Sequence, residues 1–203
     1  MSSPLFPDDI LFLQRLLTSA GFYSANLDGI WGPKTDAAMT AFDERFAQIA
    51  TALGTFHSRT ETSLRTLHPK AQELARVSLK TIRDAGINAR IISGTRTYAE
   101  QNKLFAQGRF GNPPPIVTNA RGGQSNHNFG IAWDIGIFTD AGKYLEDSPL
   151  YKKAGQIAMA AGISKLEWGG NWTTFQDRPH YQHFTGLAIG QVRQKFESGV
   201  PFV

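Results

Sequence analysis

Ser125-Asn126-His127-Asn128-Phe129-Gly130-Ile131-Ala132-Trp133-Asp134 passes from a polar loop into an apolar run. Gly130 lets the chain turn closely from one to the other. Ile131 to Phe138 alternates well enough to predict a central strand. Asp134 falls inside that strand, between Trp133 and Ile135. An ionised carboxylate buried there without a partner would be very costly. A metal ion is one way to satisfy it. Zinc accepts imidazole nitrogen and carboxylate oxygen together, which makes His127 and Asp134 a candidate pair of ligands.

A catalytic zinc site needs three protein ligands and one open position. The third is sought in Glu167-Trp168-Gly169-Gly170-Asn171-Trp172-Thr173-Thr174-Phe175-Gln176-Asp177-Arg178-Pro179-His180-Tyr181-Gln182-His183. His180 would complete the set, and His183 is its competitor. Asp177 stands three residues before His180. From there a carboxylate can take a proton from the attacking water and pass it to the leaving amine. Arg96, in Ser93-Gly94-Thr95-Arg96-Thr97, follows a strand and precedes a helix. Its guanidinium stays charged and can grip a carbonyl or carboxylate oxygen. His57 and His68 have no acidic or histidine partner at ligand spacing and read as structural. Trp168, Trp172, Phe175 and Tyr181 fit the lining of a cleft and the packing of a core equally well.

Working outward, Ile10, Leu13, Leu16, Leu17 and Ala20 recur at helical spacing, with Gly21 as a stop. Gly32-Pro33 opens a second helix, whose buried face is Ala38, Met39, Phe42, Phe46 and Ile49. Residues 51–68 hold few apolar positions and read as a connector. Further helices are predicted over Pro69–Ala85, Tyr98–Gln107 and Leu150–Ala161, and a strand over Ala89–Ser93. Pro113-Pro114-Pro115 marks a loop. Helices and strands alternate without a regular crossover repeat. The fold class expected is therefore α+β, with a small helical module over residues 1–50 and an α+β domain over residues 51–203.

Two resemblances carry the reading further. The run Leu13-Gln14…Leu17…Gly21-Phe22-Tyr23…Leu27-Asp28-Gly29-Ile30-Trp31-Gly32-Pro33-Lys34-Thr35…Ala38…Phe42 resembles the helical peptidoglycan-binding module found on wall hydrolases. It departs at Asp43, where glutamine is frequent. Ser93-Gly94-Thr95-Arg96 with Gln101, then Ser125-x-His127-x-x-Gly130-x-Ala132-x-Asp134, then Trp168-Gly169-Gly170…Asp177-x-x-His180 resemble a second group. This is the D-Ala-D-Ala carboxypeptidase/L-alanyl-D-glutamate peptidase family of zinc enzymes. The resemblance implies a central, mainly antiparallel sheet and His127, Asp134 and His180 as metal ligands. It also implies Asp177 as general base and Arg96 as substrate and oxyanion contact, with Gln101 and Ser125 beside the substrate. The Asp-x-x-His ending, with Trp-Gly-Gly before it, looks like the endolysin branch, which cuts between L-Ala and D-Glu. A D,D-carboxypeptidase and a secreted wall-degrading effector are the alternatives of the same chemistry.

Composition narrows the classes. There is no cysteine, so thiol nucleophiles, thiolate zinc sites and disulfide frameworks are excluded. Residues 1–50 hold three Lys/Arg against six Asp/Glu, whereas the remainder holds eighteen against eleven. The basic part would be drawn to an anionic polymer, the bacterial wall among them. A nucleic-acid binder is not expected, because neither a recognition-helix motif nor a clustered basic run is present. A non-catalytic wall-binding protein should have lost a ligand or the base, yet all five positions are filled. No apolar run reaches the roughly 18–20 residues of a membrane span. Met1-Ser2-Ser3-Pro4, followed by Asp8 and Asp9, lacks the pattern of a secretory signal. The expectation is a monomer made in the cytoplasm that reaches peptidoglycan with a holin-type partner or through a secretion machine.

Overall fold

The computed structural model describes residues 6–203. Met1 to Pro4, on which the reading of the N-terminus partly rests, lie outside the described residues. By internal contacts the chain falls into two compact units, each discontinuous in sequence. One runs to Arg45 and adds Arg96–Gly130 and Gly186–Val203; the other joins Phe46–Thr95 with Ile131–Thr185.

In the first unit, α1 (Pro7–Ser19) and the start of α2 (Pro33–Leu53) form the helical hairpin. Leu17, Tyr23, Ala38 and Phe42 make its core. The connecting loop is held by one buried side chain. The Gln14 amide donates to Asp28 Oδ1 at 2.9 Å and to the Ile30 carbonyl at 3.1 Å. Its oxygen accepts from the N–H groups of Asp28 and Gly29 at 3.1 and 2.9 Å. The other helices of this unit are α5 (Tyr98–Ala106) and α7 (Ile189–Glu197). Phe12 on α1 packs against Phe196 of α7 at 5.5 Å and against Tyr98 at 6.1 Å between ring centroids. Phe129 meets Phe196 at 5.3 Å and Phe202 at 6.5 Å. Those rings share one apolar cluster.

The second unit is built on a sheet. Strands β1 (Ala89–Ser93), β2 (Ala132–Phe138), β4 (Leu166–Trp168) and β5 (His180–His183) lie in the order β1-β2-β5-β4. The short β3 (Tyr144–Leu145) pairs with β2. Every described pairing is antiparallel. Side chains alternate across such a sheet. Ala89, Ile91, Trp133, Ile135, Ile137, Leu166, Trp168 and Tyr181 point into one core. Ala71, Ala75, Leu79 and Ile82 of α4 (Pro69–Asp84) and Tyr151, Ala154 and Ala158 of α6 (Leu150–Ala160) complete it. The opposite face is therefore free to carry Asp134, Glu167, His180 and Gln182.

The segment expected as a connector contains a helix, α3 (Ser58–Arg65). Only Thr60 and Leu64 of it are buried, so its apolar stripe is too thin to register as a period. His57 and His68 each cap a helix: their Nδ1 atoms accept from the N–H groups of Arg59 and Lys70 at 3.3 and 3.2 Å. Behind them, Arg76 of α4 is fully buried and forked onto Glu61 at 2.6 and 2.9 Å, with a further bond to the Gly54 carbonyl at 2.8 Å. Among the described residues no helix is long and apolar enough to cross a membrane.

Candidate metal centre

Backbone pairing creates the centre. Asp134 of β2 stands directly opposite His180 of β5. Directly opposed residues of an antiparallel pair have their Cβ atoms about 4.5–5.5 Å apart. His180 Nδ1 accordingly lies 3.3 Å from Asp134 Oδ1. His127 arrives from a short 3-10 turn, Asn126–Phe129, that ends at Gly130 with φ +72°. That left-handed conformation is one a side chain would resist. One ligand atom from each of His127, Asp134 and His180 lies within 4.8 Å of the others.

The two histidines are 2% and 6% exposed. Asp134 lies inside the strand as expected, but its side chain is 19% exposed rather than sealed in the core. The strand's alternation explains the difference, because it turns Asp134 away from the core that Trp133 and Ile135 enter. Burial disfavours the His180 imidazolium, but the hydrogen bond and charge of Asp134, with help from Gln182 and Asp177, raise its pKa above the usual histidine value. Two imidazoles and one carboxylate form a donor set that could hold a metal and suits zinc.

Asp177 lies where the loop enters β5. Its N–H donates to the Gly169 carbonyl at 3.0 Å, and its own carbonyl accepts from the His180 N–H at 3.3 Å. A Cβ on Gly169 would come within 2.5 Å of that Asp177 carbonyl oxygen. The glycine is what lets the loop close down on the strand. Arg96 leaves β1 beside the ligand turn, its N–H donating to the His127 carbonyl at 3.0 Å. Gln101 is only 1% exposed. Its amide accepts from Arg96 Nη1 at 3.4 Å and donates to the Ala120 carbonyl at 3.0 Å. The resemblance implied substrate contact for Gln101; the structure places its amide between Arg96 and the Ala120 carbonyl. Ser125 opens the ligand turn, and its carbonyl accepts from the Asn128 N–H at 2.9 Å.

His183 lies outside the three-residue group. It is three positions from His180, so it points to the opposite face of β5. Burial, with Lys165 and Lys70 next in importance, pushes its pKa down. The aromatic cluster divides. Trp168 and Tyr181 belong to the core, Trp172 lies against the His180 ring at 5.1 Å, and Phe175 is exposed. Two residues near the site escaped the sequence reading. Gln182 shares the face of His180, which alternation would reveal once the strand is known. Asn128 is fully buried; its amide donates to the Arg96 carbonyl at 2.9 Å and accepts from the Gly123 N–H at 2.9 Å.

Residues 118–189 match a family described as D-alanyl-D-alanine carboxypeptidase. Residues 7–52 match a putative peptidoglycan binding domain. The peptidoglycan L-alanyl-D-glutamate endopeptidase CwlK of Bacillus subtilis (strain 168) is 35% identical over 127 residues, covering 57% of this chain and 72% of that protein. The crystal structure of the L-Ala D-Glu endopeptidase ChiX of Serratia marcescens is similar with a TM-score of 0.51 at 27% identity, over 64% of this chain and 90% of that one. The chain belongs to the D-alanyl-D-alanine carboxypeptidase and L-alanyl-D-glutamate endopeptidase family of metallopeptidases, and joins its peptidase residues to a peptidoglycan-binding domain.

Proposed function

We infer that the chain hydrolyses peptidoglycan at the L-Ala–D-Glu bond of the stem peptide, using zinc held by His127, Asp134 and His180. The convergence of those three ligand atoms carries the reading. The names of CwlK and ChiX, which specify the same bond, support it. Zinc, when bound, supplies a Lewis acid that polarises the scissile carbonyl and lowers the pKa of a coordinated water to roughly 7. Asp177 accepts the proton of the attacking water and delivers it to the leaving amine. Arg96 opposes the negative charge that develops on the carbonyl oxygen. Residues 1–50 hold the wall, which raises the local concentration of stem peptide at the peptidase residues.

A D,D-carboxypeptidase is the second reading, because the family matched over residues 118–189 bears that description. Digestion of purified peptidoglycan followed by mass spectrometry separates the two. Products with a new N-terminal D-Glu are expected. Release of terminal D-Ala alone would favour the carboxypeptidase. No product with added zinc, together with intact wall binding, would remove catalysis from the account.

A further inference from the structure

Glu167 faces Gln182 directly in the pairing of β4 with β5. Gln182 lies on the same face of β5 as His180. A chain of hydrogen bonds runs through them. The Trp172 indole N–H donates to Glu167 Oε1 at 2.7 Å. The Gln182 amide donates to Glu167 Oε2 at 2.9 Å. Gln182 Oε1 faces His180 Nε2 at 3.0 Å.

The chemistry of the groups fixes the direction of this chain. An indole only donates and a carboxylate only accepts. Both Glu167 oxygens therefore take N–H donors, and the Gln182 amide must turn its nitrogen to Glu167 and its oxygen to His180. His180 Nε2 must then carry hydrogen. In the neutral ring Nδ1 then carries the lone pair, and Nδ1 is the atom 3.3 Å from Asp134 Oδ1. Two acceptors at that distance need a proton or a metal ion between them, and Nδ1 is the atom that would face either.

We propose that Glu167 is a positioning residue for the metal, acting on His180 through Gln182 and secured by Trp172. It rests on the reading of His180 as a ligand through Nδ1. The chain sets the His180 tautomer and, by drawing on the Nε2 proton, makes Nδ1 a stronger donor. Trp172 serves twice: its N–H fixes Glu167, and its ring packs on the His180 imidazole at 5.1 Å.

The test compares full-length wild type with Glu167→Gln, Gln182→Leu, Trp172→Phe and His127→Ala. Zinc affinity is measured by competition with a chromophoric chelator. The visible spectrum of the cobalt-loaded protein and the Tm of the metal-free protein are recorded beside it. Glu167→Gln and Gln182→Leu should each weaken zinc binding about 10–100-fold and change the cobalt spectrum, with metal-free Tm close to wild type. Trp172→Phe keeps the ring and loses the N–H, so its loss should be smaller. Wild-type zinc affinity and cobalt spectrum in Glu167→Gln would overturn the proposal. Should that variant fail to fold, Gln182→Leu and Trp172→Phe decide by the same readout. Failure of the metal site itself looks different: His127→Ala would then bind zinc as tightly as wild type.

Discussion

The main-chain N–H of Arg96 donates to the carbonyl of His127 at 3.0 Å, so the arginine and a candidate metal ligand share one backbone junction. Asn128 locks the junction by bonding the Arg96 carbonyl at 2.9 Å. The guanidinium thus departs from an anchored backbone beside the ligand turn. Arg96→Lys should lower kcat on a stem peptide by about 10²–10³-fold, because a lysine lacks the planar fork. Zinc content should stay at the wild-type level. Undiminished kcat in this variant would dismiss Arg96 from the chemistry.

Asp177 and His127 should separate catalysis from metal binding. Asp177→Ala is expected to retain zinc and lose activity, whereas His127→Ala loses both. Metal analysis beside peptidoglycan digestion reads the two quantities in one preparation. Full zinc occupancy in His127→Ala would sink the ligand assignment.

The Arg76–Glu61 pair is a stability element. Arg76 has no exposed side-chain surface, and Glu61 retains 20%. Glu61→Ala leaves a buried guanidinium without its carboxylate and should cost about 3 kcal/mol, the lower end for breaking a buried pair. Exchanging both residues for leucine and methionine should cost far less. Urea unfolding of the single and double variants measures the contrast, and equal losses in both would refute it.

Asp28 should confer an acid sensitivity. The hydrogen bond from Gln14, then that from the Ile30 N–H, hold its pKa below the usual aspartate value. A carboxylate depressed in the folded state contributes stability above its unfolded pKa. That contribution disappears as pH falls from about 4 through the folded value. Asp28→Asn should flatten the dependence of unfolding free energy on pH between about 2 and 5. An unchanged slope in the variant would show that Asp28 does not titrate with folding.

Much of the fold was legible because its long elements carry periods. The stripe from Ala71 to Ile82 and the alternation from Ile131 to Phe138 each specify an element and its buried face. Ala89–Ser93 stands as a strand with the bounds its apolar run suggests. Elements of three or four residues carry no period, and β4 and β5 escaped for that reason. Their absence from the sequence reading left His180 and His183 as rivals, since only a known strand sends them to opposite faces. The seclusion of Gln101 was equally hidden, because it depends on Arg96 and Ala120 meeting it from other segments.

Phe12 has a further consequence. Its contacts with Phe196 and Tyr98 make the helical hairpin part of the cluster that also contains Phe129, two residues beyond His127. Wall hydrolases invite engineering by exchange of their targeting modules, as though these were beads on a string. Here such a graft would remove an aromatic side chain from the cluster that packs on Phe129 beside His127. A chimera built from this peptidase would have to keep α1, or bring an aromatic side chain to the same spot.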